Sequence, residues 1–415
     1  AGVTSSAIYT RGVLRSLPRR QFMGVPADVD ELAASGVVSA EGVARARAES
    51  VPAADGADAS VTAYIGARLG VEVVDRLVDP LLGGVYAGRS EELSFDATLP
   101  ALAAASRRYR SLAEAARSLL PVPAPVPAGG PEEAGGPQEA PVAGTRSGGS
   151  VFTTLVGGLG MLPAILAKAS GAEIRTSSMV RKLSRGSADE RAWRLTFGSA
   201  AAEEHLEADA VILAVPARSA SRLLAGVPGA AAAVTAFGEI SYASMAIVTL
   251  AYPRSAFPGA GLAALGWSGY LVPAVDGRAV KAVTFSTVKW PHLAAAAARG
   301  TEPLEIVRCS VGRIGEEAVL QRADDDLVAL AAAELADATG VRGAPAASRV
   351  TRWGGALPQY TVGHLDRVAR IRETVASQPG LAVCGAAYDG VGIPACIATA
   401  QAAVGQVTAF LAARP

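Results

Sequence analysis

The sequence predicts a mixed α/β fold with three parts: a helical lobe, a mixed sheet, and a part built around a glycine-rich turn. A helical pattern with few β-branched residues covers residues 28–120, and short apolar strands recur between 173 and 313. Near the carboxyl end, a strand at 381–384 leads through the glycine-rich turn, 385–394, into an alanine-rich helix at 395–411. Helical and strand periodicities therefore share one chain, which is typical of α/β and α+β folds.

Length and charge limit the class of function. Half of the 415 residues are hydrophobic, which is enough for two sizeable cores, so we expect two domains and a linker. The 38 Lys and Arg residues balance the 38 Asp and Glu residues without a basic block, which argues against a nucleic-acid partner. No run of about eighteen apolar residues and no charged leader occurs, so we expect neither a membrane-spanning nor a secreted chain.

Cysteines and histidines are few and scattered. Cys309, Cys384 and Cys396 lack C-x-x-C spacing, which indicates small core residues in a reducing, cytoplasmic compartment. The three histidines stand far apart in sequence, and no metal site is predicted.

Residues 1–120 are predicted to form the helical lobe and the start of the mixed-sheet domain. Ser60 is expected to cap a helix over 61–69, which Gly70 closes. Two further helices are expected, one at 72–82 that stops at Gly83-Gly84 and one at 96–116. Residues 121–150, rich in Pro, Gly, Ala and Glu, are predicted to be a flexible linker or surface loop.

Residues 151–235 are assigned to the domain that carries the glycine-rich turn, with a helix near 161–169. Four strands are expected there, at 173–176, 179–184, 192–197 and 210–215. The last lies in a continuous apolar run, Asp209 to Pro216, and should be buried on both faces of a sheet.

Residues 236–350 are assigned to the mixed-sheet domain, and residues 351–415 return to the domain of the turn. The mixed sheet is expected to contain strands at 241–250, 270–273, 279–286 and 305–313, followed by a helix at 324–340. A domain whose sequence is split around another explains this order.

The glycine-rich turn is the strongest candidate site. Gly385, Gly390 and Gly392 remove side chains where a flat cofactor would lie against the backbone, and the helix after them offers unpaired N–H groups. A flavin is the ligand that this arrangement suggests. A tight strand-to-helix connection that binds no ligand would explain the glycines alone equally well.

A resemblance to a known family favours the flavin. The run Gly385 to Cys396 resembles the carboxyl-terminal signature of the flavin-dependent protoporphyrinogen and coproporphyrinogen oxidases of haem synthesis, within the amine-oxidase-like superfamily. Similar blocks occur in family order along nearly the whole chain: Leu14–Pro18, Met23–Pro26, Arg68–Gly70, Asp79–Gly88, Gly157–Leu159, Tyr242–Ser244, Tyr270–Pro273, Thr284–Ser286, Lys289–Trp290, Arg308–Arg313, Arg352–Trp353 and Pro358–His364.

The resemblance implies an FAD-linked oxidase with a substrate domain and a helical lobe. It places Val180 and Ala214 beside the FAD nucleotide, and we expect the flavin to lie against the turn residues Gly385, Tyr388, Gly390, Val391, Gly392 and Ile393. It further implies porphyrinogen as substrate and dioxygen as electron acceptor. Because the flavin would take the hydride, the protein need supply only position, electrostatics and a water-poor cavity, and the sequence does not identify a catalytic residue.

A porphyrinogen pocket needs an apolar slot and cations for the propionates. The candidate lining residues are Arg352, Trp353, Tyr360 and, more weakly supported, Arg89. A surface salt bridge would explain Arg352 equally well. Coproporphyrinogen carries four propionates and protoporphyrinogen two. The amino-acid sequences of the matching blocks resemble those of the bacterial oxidases that act on coproporphyrinogen.

One family segment is not found in this sequence. The G-x-G-x-x-G turn for the ADP half of FAD is missing, and Gly259–Ala264 is rejected as a match because no strand precedes it and no helix follows. The FAD domain is therefore expected to be incomplete, and FAD to be held poorly.

Two alternatives stay open: a non-catalytic remnant that only binds porphyrin, and another flavoenzyme of the superfamily. The resemblance also leaves open contact of the first 120 residues with a membrane surface, and docking of a downstream haem-pathway enzyme.

Overall fold

The computed structural model describes residues 5–50, 57–121, 153–186, 193–199 and 201–414. The predicted linker, 121–150, lies outside these ranges except for Pro121. Elements are numbered in chain order.

The helical lobe surrounds a continuous apolar core. Its helices are α1 (Val29–Ser35), α2 (Ala40–Arg47), α3 (Val61–Leu69), α4 (Val71–Val73), α5 (Asp79–Tyr86), α6 (Phe95–Thr98), α7 (Pro100–Ser106) and α8 (Leu112–Ser118), with a π-helical segment at Val74–Val78. A short hairpin of β3 (Gln21–Phe22) and β4 (Val25–Pro26) packs beside them. The predicted cap is confirmed, because the Ser60 hydroxyl accepts a hydrogen bond from the Ala63 amide and Gly70 follows the last turn of α3.

Two helix predictions in the lobe were wrong. Helix α5 continues through Gly83 and Gly84 and ends only where Ala87 adopts a left-handed φ of 50°. Buried Leu82 and Tyr86 hold this last turn against the core, which outweighs the low helix propensity of glycine. The predicted helix at 96–116 is three separate helices, α6 to α8. The break at Leu99 has a cause, since a residue before proline disfavours the helical conformation.

The mixed sheet has seven strands in the order β13-β9-β12-β11-β10-β1-β2. They are β1 (Ala7–Thr10), β2 (Val13–Ser16), β9 (Tyr242–Pro253), β10 (Gly269–Leu271), β11 (Val280–Phe285), β12 (Leu304–Val311) and β13 (Ala347–Pro358). Only the pairing of β1 with β10 is parallel. Strand β13 was not predicted, and it carries the sheet through Pro358, beyond the predicted boundary at 350.

The two faces of this sheet differ. Val248, Val307 and Cys309 pack against helix α14 (Asp324–Thr339), and we call this side the core face. The alternate residues form the open face. Its β1 and β10 end is covered by the lobe, because Ile8 and Leu271 belong to the apolar core of the lobe. Its β12, β9 and β13 end carries exposed residues such as Arg308 and Arg349.

The remaining elements form a part that we call the α/β part. Its strands are β8 (Val211–Leu213) and β14 (Leu381–Val383), which pair in parallel, and β5 (Val180–Arg185), β6 (Trp193–Ser199) and β7 (Ala202–Ala208), which form an antiparallel sheet. Its helices are α9 (Leu162–Ser170), α10 (Ala217–Leu224), α11 (Ala231–Gly238), α15 (His364–Ala376) and α16 (Ile393–Ala412). Two short helices, α12 (Ser286–Lys289) and α13 (Pro291–Ala297), lie against β12.

Two strand predictions in the α/β part also need correction. Residues 173–176 form no strand and are exposed, while the unpredicted β7 completes the antiparallel sheet. Strand β8 is buried on one face only: Val211 and Leu213 are buried, but Ile212 is 36% exposed. An apolar run indicates that a strand can be buried on both faces, and neighbouring elements decide whether it is.

Among the described residues, one helix, α16, is long and apolar enough to cross a membrane by length and composition, with a mean hydropathy of 1.4. It lies against β14 and β8, so it is also a layer of the α/β part.

Candidate functional site

The glycine-rich turn starts at the carboxyl end of β14. The parallel pairing of β8 and β14 ends with the Cys384 amide donating to the Leu213 carbonyl. Gly385 then adopts a φ of 122°, a conformation that L side chains rarely take. A Cβ atom built on Gly385 would meet no heavy atom within 4 Å, so one side of its backbone is open. The turn is therefore bare where a flat ligand could approach.

The turn ends at the amino terminus of α16. Gly390 has a φ of 147°, and a Cβ there would lie 2.9 Å from the Ala395 Cβ, so only glycine fits without a shift. Gly392 is the residue before the helix, and no side chain caps the first amides of α16. Gly392 and Ile393 are exposed. Unpaired amides at an exposed helix start favour an electron-rich group.

Tyr360 fixes the turn from behind. Its hydroxyl donates to the Ala386 carbonyl at 2.7 Å and accepts from the Gly390 amide at 2.8 Å. Its side chain is 1% exposed. The predicted role of Tyr360 in lining the substrate pocket stays a prediction. The geometry favours a different role, because one hydroxyl joins Ala386 to Gly390 and so holds the first half of the turn.

His364 supports Tyr360. The two rings stack with centroids 3.8 Å apart, and the His364 Nε2 lies 3.0 Å from the Tyr388 carbonyl. Since a carbonyl can only accept, Nε2 carries the proton, and Nδ1 is a buried acceptor that finds no hydrogen-bond partner in the described part of the chain. Burial lowers the pKa of His364 to about 4, so the ring is neutral at neutral pH.

Tyr388 points away from the open side of the turn. Its ring is 1% exposed and packs edge-on against Phe237 in the core of the α/β part. Burial raises the pKa of the Tyr388 hydroxyl, which has no hydrogen-bond partner among the described residues. Contact of Tyr388 with a cofactor stays a prediction, and this packing leaves only its main chain available for it.

Arg352 and Trp353 occupy opposite sides of β13. The Arg352 guanidinium pairs with Asp324 at 2.5 Å and donates to the carbonyls of Leu320 and Arg322. Each of its three nitrogens thus donates to Asp324, the first residue of α14, or to the chain just before that helix. Trp353 is 53% exposed on the open face. Both line a groove of about 370 Å³ that also contains Glu317, a poor neighbour for a propionate.

The other predicted residues are spread over the molecule. Arg89 pairs with Glu316 at 3.1 Å and so joins the lobe to the loop after β12. Val180 is half-buried at the start of β5, and Ala214 is exposed just after β8. Val391 packs on the core of the lobe. The structure thus brings together the turn residues, Tyr360 and His364, and leaves Arg89 and Arg352 in separate salt bridges.

Sequence reasoning missed two supports of the turn. His364 lies in the block Pro358–His364, which resembles the family, but nothing in the neighbouring sequence predicted that its ring stacks on Tyr360. Thr399, 5% exposed in α16, accepts a hydrogen bond from the Gly385 amide at 3.0 Å and donates to the Cys396 carbonyl. The signal in the sequence was a polar residue within an apolar helix, because a buried hydroxyl needs a hydrogen-bond partner.

The arrangement can hold a flat, electron-rich group and position it beside a substrate sheet. Strand β13 ends at Pro358, and Tyr360 follows two residues later. The mixed sheet is therefore joined directly to the residue that holds the turn. A parallel strand pair, a bare turn and a helix start beside a mixed sheet are features of nucleotide-cofactor oxidoreductases.

The chain belongs to the flavin containing amine oxidoreductase family, whose model matches residues 4–408. It is 35% identical to coproporphyrinogen III oxidase of Mycobacterium tuberculosis, over 98% of this chain and 79% of the relative. It is 30% identical to protoporphyrinogen oxidase of Macaca fascicularis, over 84% of this chain and 68% of the relative.

Solved structures agree on the fold. A crystal structure from Exiguobacterium sp. 255-15, assigned as a protoporphyrinogen oxidase, aligns with a TM-score of 0.75 and 26% identity, over 99% of this chain and 80% of that one. Cyclohexylamine oxidase from Brevibacterium oxydans aligns with a TM-score of 0.59, over 99% of this chain and 81% of that one; at 13% identity it shows the fold alone. The chain is therefore an FAD-dependent oxidase related to the porphyrinogen oxidases of haem biosynthesis, which confirms the predicted fold class and cofactor.

The residues of the turn fit FAD. Gly385 leaves open space beside the backbone, and the free amides at the start of α16 suit the electron-rich edge of an isoalloxazine ring. Gly385, Gly390, Gly392 and Ile393 would hold that ring through main-chain contacts. When bound, FAD supplies the acceptor for a hydride from the substrate, and the protein supplies position and a water-poor cavity.

Proposed function

We propose that this chain oxidises coproporphyrinogen III to coproporphyrin III in haem biosynthesis. The observation that carries the proposal is its identity of 35% with coproporphyrinogen III oxidase over almost the whole chain. A second relative of that name, from Bacillus subtilis, is 28% identical over 98% of this chain. Protoporphyrinogen IX is the competing substrate.

The chain contributes three things to this reaction. Tyr360 joins Ala386 to Gly390 within the turn, His364 stays neutral beside it, and the open face of the sheet presents the exposed ring of Trp353 to the tetrapyrrole. A neutral His364 adds no charge behind the turn, so it does not bias the electrostatics of the cofactor ring. No protein group is assigned to proton transfer.

Dioxygen is proposed as the electron acceptor and the cytoplasm as the compartment. Contact of the lobe with a membrane surface and docking of a downstream haem-pathway enzyme belong to the same proposal and rest on the family resemblance.

The test uses protein with FAD occupancy measured from flavin absorbance. Coproporphyrinogen III and protoporphyrinogen IX, both prepared anaerobically, are compared by porphyrin fluorescence after admission of oxygen. We expect kcat/KM to favour coproporphyrinogen III by at least about tenfold, a free-energy difference near 1.4 kcal/mol. Stoichiometric hydrogen peroxide would support dioxygen as acceptor.

Two results would overturn the proposal. Equal or reversed preference would move the assignment to protoporphyrinogen IX. Tight binding of coproporphyrin by FAD-loaded protein that forms no porphyrin from either substrate would identify a non-catalytic binding protein. A sample stripped of FAD is the matched control and should show only the slow spontaneous oxidation.

A further inference from the structure

An arginine pair on the open face of the sheet has no role in the site described so far. Arg308 of β12 and Arg349 of β13 both lie opposite Thr249 of β9, so the three residues form one row across three strands. Neighbouring strands are about 4.8 Å apart, which puts the two arginine Cα atoms about 10 Å from each other. Both side chains are exposed.

Within the described ranges, neither arginine is paired with a carboxylate. No ion pair or side-chain hydrogen bond joins Arg308 or Arg349 to another described residue, whereas Arg352, on the same strand as Arg349, is held by Asp324 and two main-chain carbonyls. Lys289 lies close enough that the charge of Arg308, after burial, contributes to lowering its pKa. Two neighbouring arginines without a carboxylate partner form a site suited to an anion.

Arg308, at one end of the row, lines a cavity. A space of about 740 Å³ lies between Arg308, helix α13 and the glycines around Gly158. Its wall is mainly apolar, with Trp290, Leu293 and Leu159, and it also contains the further cation Arg299. This volume falls within the range that ligand sites span. An apolar slot with a cationic end matches a flat ring that carries carboxylates.

The position of the row relative to the turn is also suitable. Arg349 lies nine residues before Pro358 on β13, roughly 30 Å along an extended strand. A tetrapyrrole placed beside a flavin ring at the turn would reach toward the row with the propionates on its far edge, and the long arginine side chains would cover part of the remaining distance.

We propose that Arg308 and Arg349 bind the two propionate groups that coproporphyrinogen carries where protoporphyrinogen has vinyl groups, and so set the preference for the substrate with more carboxylates. This inference rests on the proposed porphyrinogen oxidation and deepens it. It replaces Arg352, which is held by Asp324 and two main-chain carbonyls, as the source of positive charge for the substrate.

The test measures binding of the product, coproporphyrin III, to FAD-loaded protein by fluorescence titration. Arg308→Gln and Arg349→Gln should each raise Kd roughly fivefold, and the double variant roughly 20-fold, because each loses a charge-assisted pair. Arg308→Lys should recover part of the loss. Arg342→Gln removes an exposed arginine of the same domain, in the loop after α14, and should leave Kd unchanged.

The tetramethyl ester of coproporphyrin separates charge recognition from a damaged pocket. All variants should bind the ester as the original chain does, and the KM for coproporphyrinogen III should rise while kcat stays within about twofold. A double variant whose Kd is within twofold of the original value would overturn the inference. So would an equal loss of ester binding. Because binding is measured without turnover, the inference can fail while the oxidase proposal holds, and the reverse.

Discussion

The helical lobe and the α/β part contain equally apolar helices but bury them to different degrees. Helix α3 buries five of its nine residues, and Leu102 of α7 is fully buried. Helix α16 buries only Thr399 and Ala403 among 20 residues, and α9 buries none. The comparison teaches that apolar periodicity predicts a helix, while the surrounding elements decide whether its apolar side is covered.

Paired leucine truncations test this contrast most strongly. Leu102→Ala should lower the free energy of unfolding by about 2–5 kcal/mol, because it leaves a cavity in the sealed core of the lobe. Leu166→Ala makes the same change on α9, where the side chain is 56% exposed, and should cost under about 0.5 kcal/mol. Chemical denaturation measures both. A large loss from Leu166→Ala would mean that this surface is covered in the folded protein.

Acid should destabilise the support of the turn. The pKa of His364 is about 4 when folded and 6.5 for an unburied histidine, so the unfolded chain binds more protons between these values. Stability from the neutral ring is complete above pH 6.5 and falls as the pH drops toward 4, by up to about 3 kcal/mol.

Denaturation at pH 7 and pH 4.5 checks this expectation. His364→Gln keeps a polar side chain without a titrating ring, and its stability should depend less on pH over that interval. The same pH slope in both proteins would assign the acid sensitivity to other groups.

Glycine substitutions sharpen the comparison at the turn itself. Gly385→Ala places a side chain at a φ of 122°, which should cost about 1–2 kcal/mol, and it blocks the open side where the flavin would lie. FAD retention during gel filtration should fall. Gly226→Ala is the matched control, since that glycine is exposed, has no positive φ and has open space around it. Unchanged FAD retention by Gly385→Ala would move the cofactor away from the turn.

The sequence predicted features that depend on local pattern. The capped helix at Ser60, the strand before Gly385 and the helix after it, and α14 were all found close to their expected positions. Family resemblance supplied the cofactor and fold class. Strand β13 was missed because its exposed, glycine-interrupted sequence lacks the apolar alternation of a strand.

Side-chain roles were harder to predict than elements. Tyr360 and Tyr388 looked alike in sequence, yet one ties the turn together and the other packs behind it. Arg352 lies in a block that resembles the family, but it pairs with Asp324 of α14. Arg308 and Arg349 are 41 positions apart in sequence and lie near each other only because both pair opposite Thr249 of β9. Contacts across strands depend on register, which the sequence of one strand does not contain.

The connection of β13 to the turn links the substrate preference of the enzyme to the reduction potential of its flavin. The strand that bears Arg349 and Trp353 pairs with β9 as far as Pro358, and Tyr360 follows two residues later with its hydroxyl on Gly390. A change that shifts β13, for example at its irregular stretch between Trp353 and Leu357, would move the side chains of the open face and the main chain of the glycine-rich turn together. Selecting variants there for a new substrate should therefore also alter the reduction potential of the flavin.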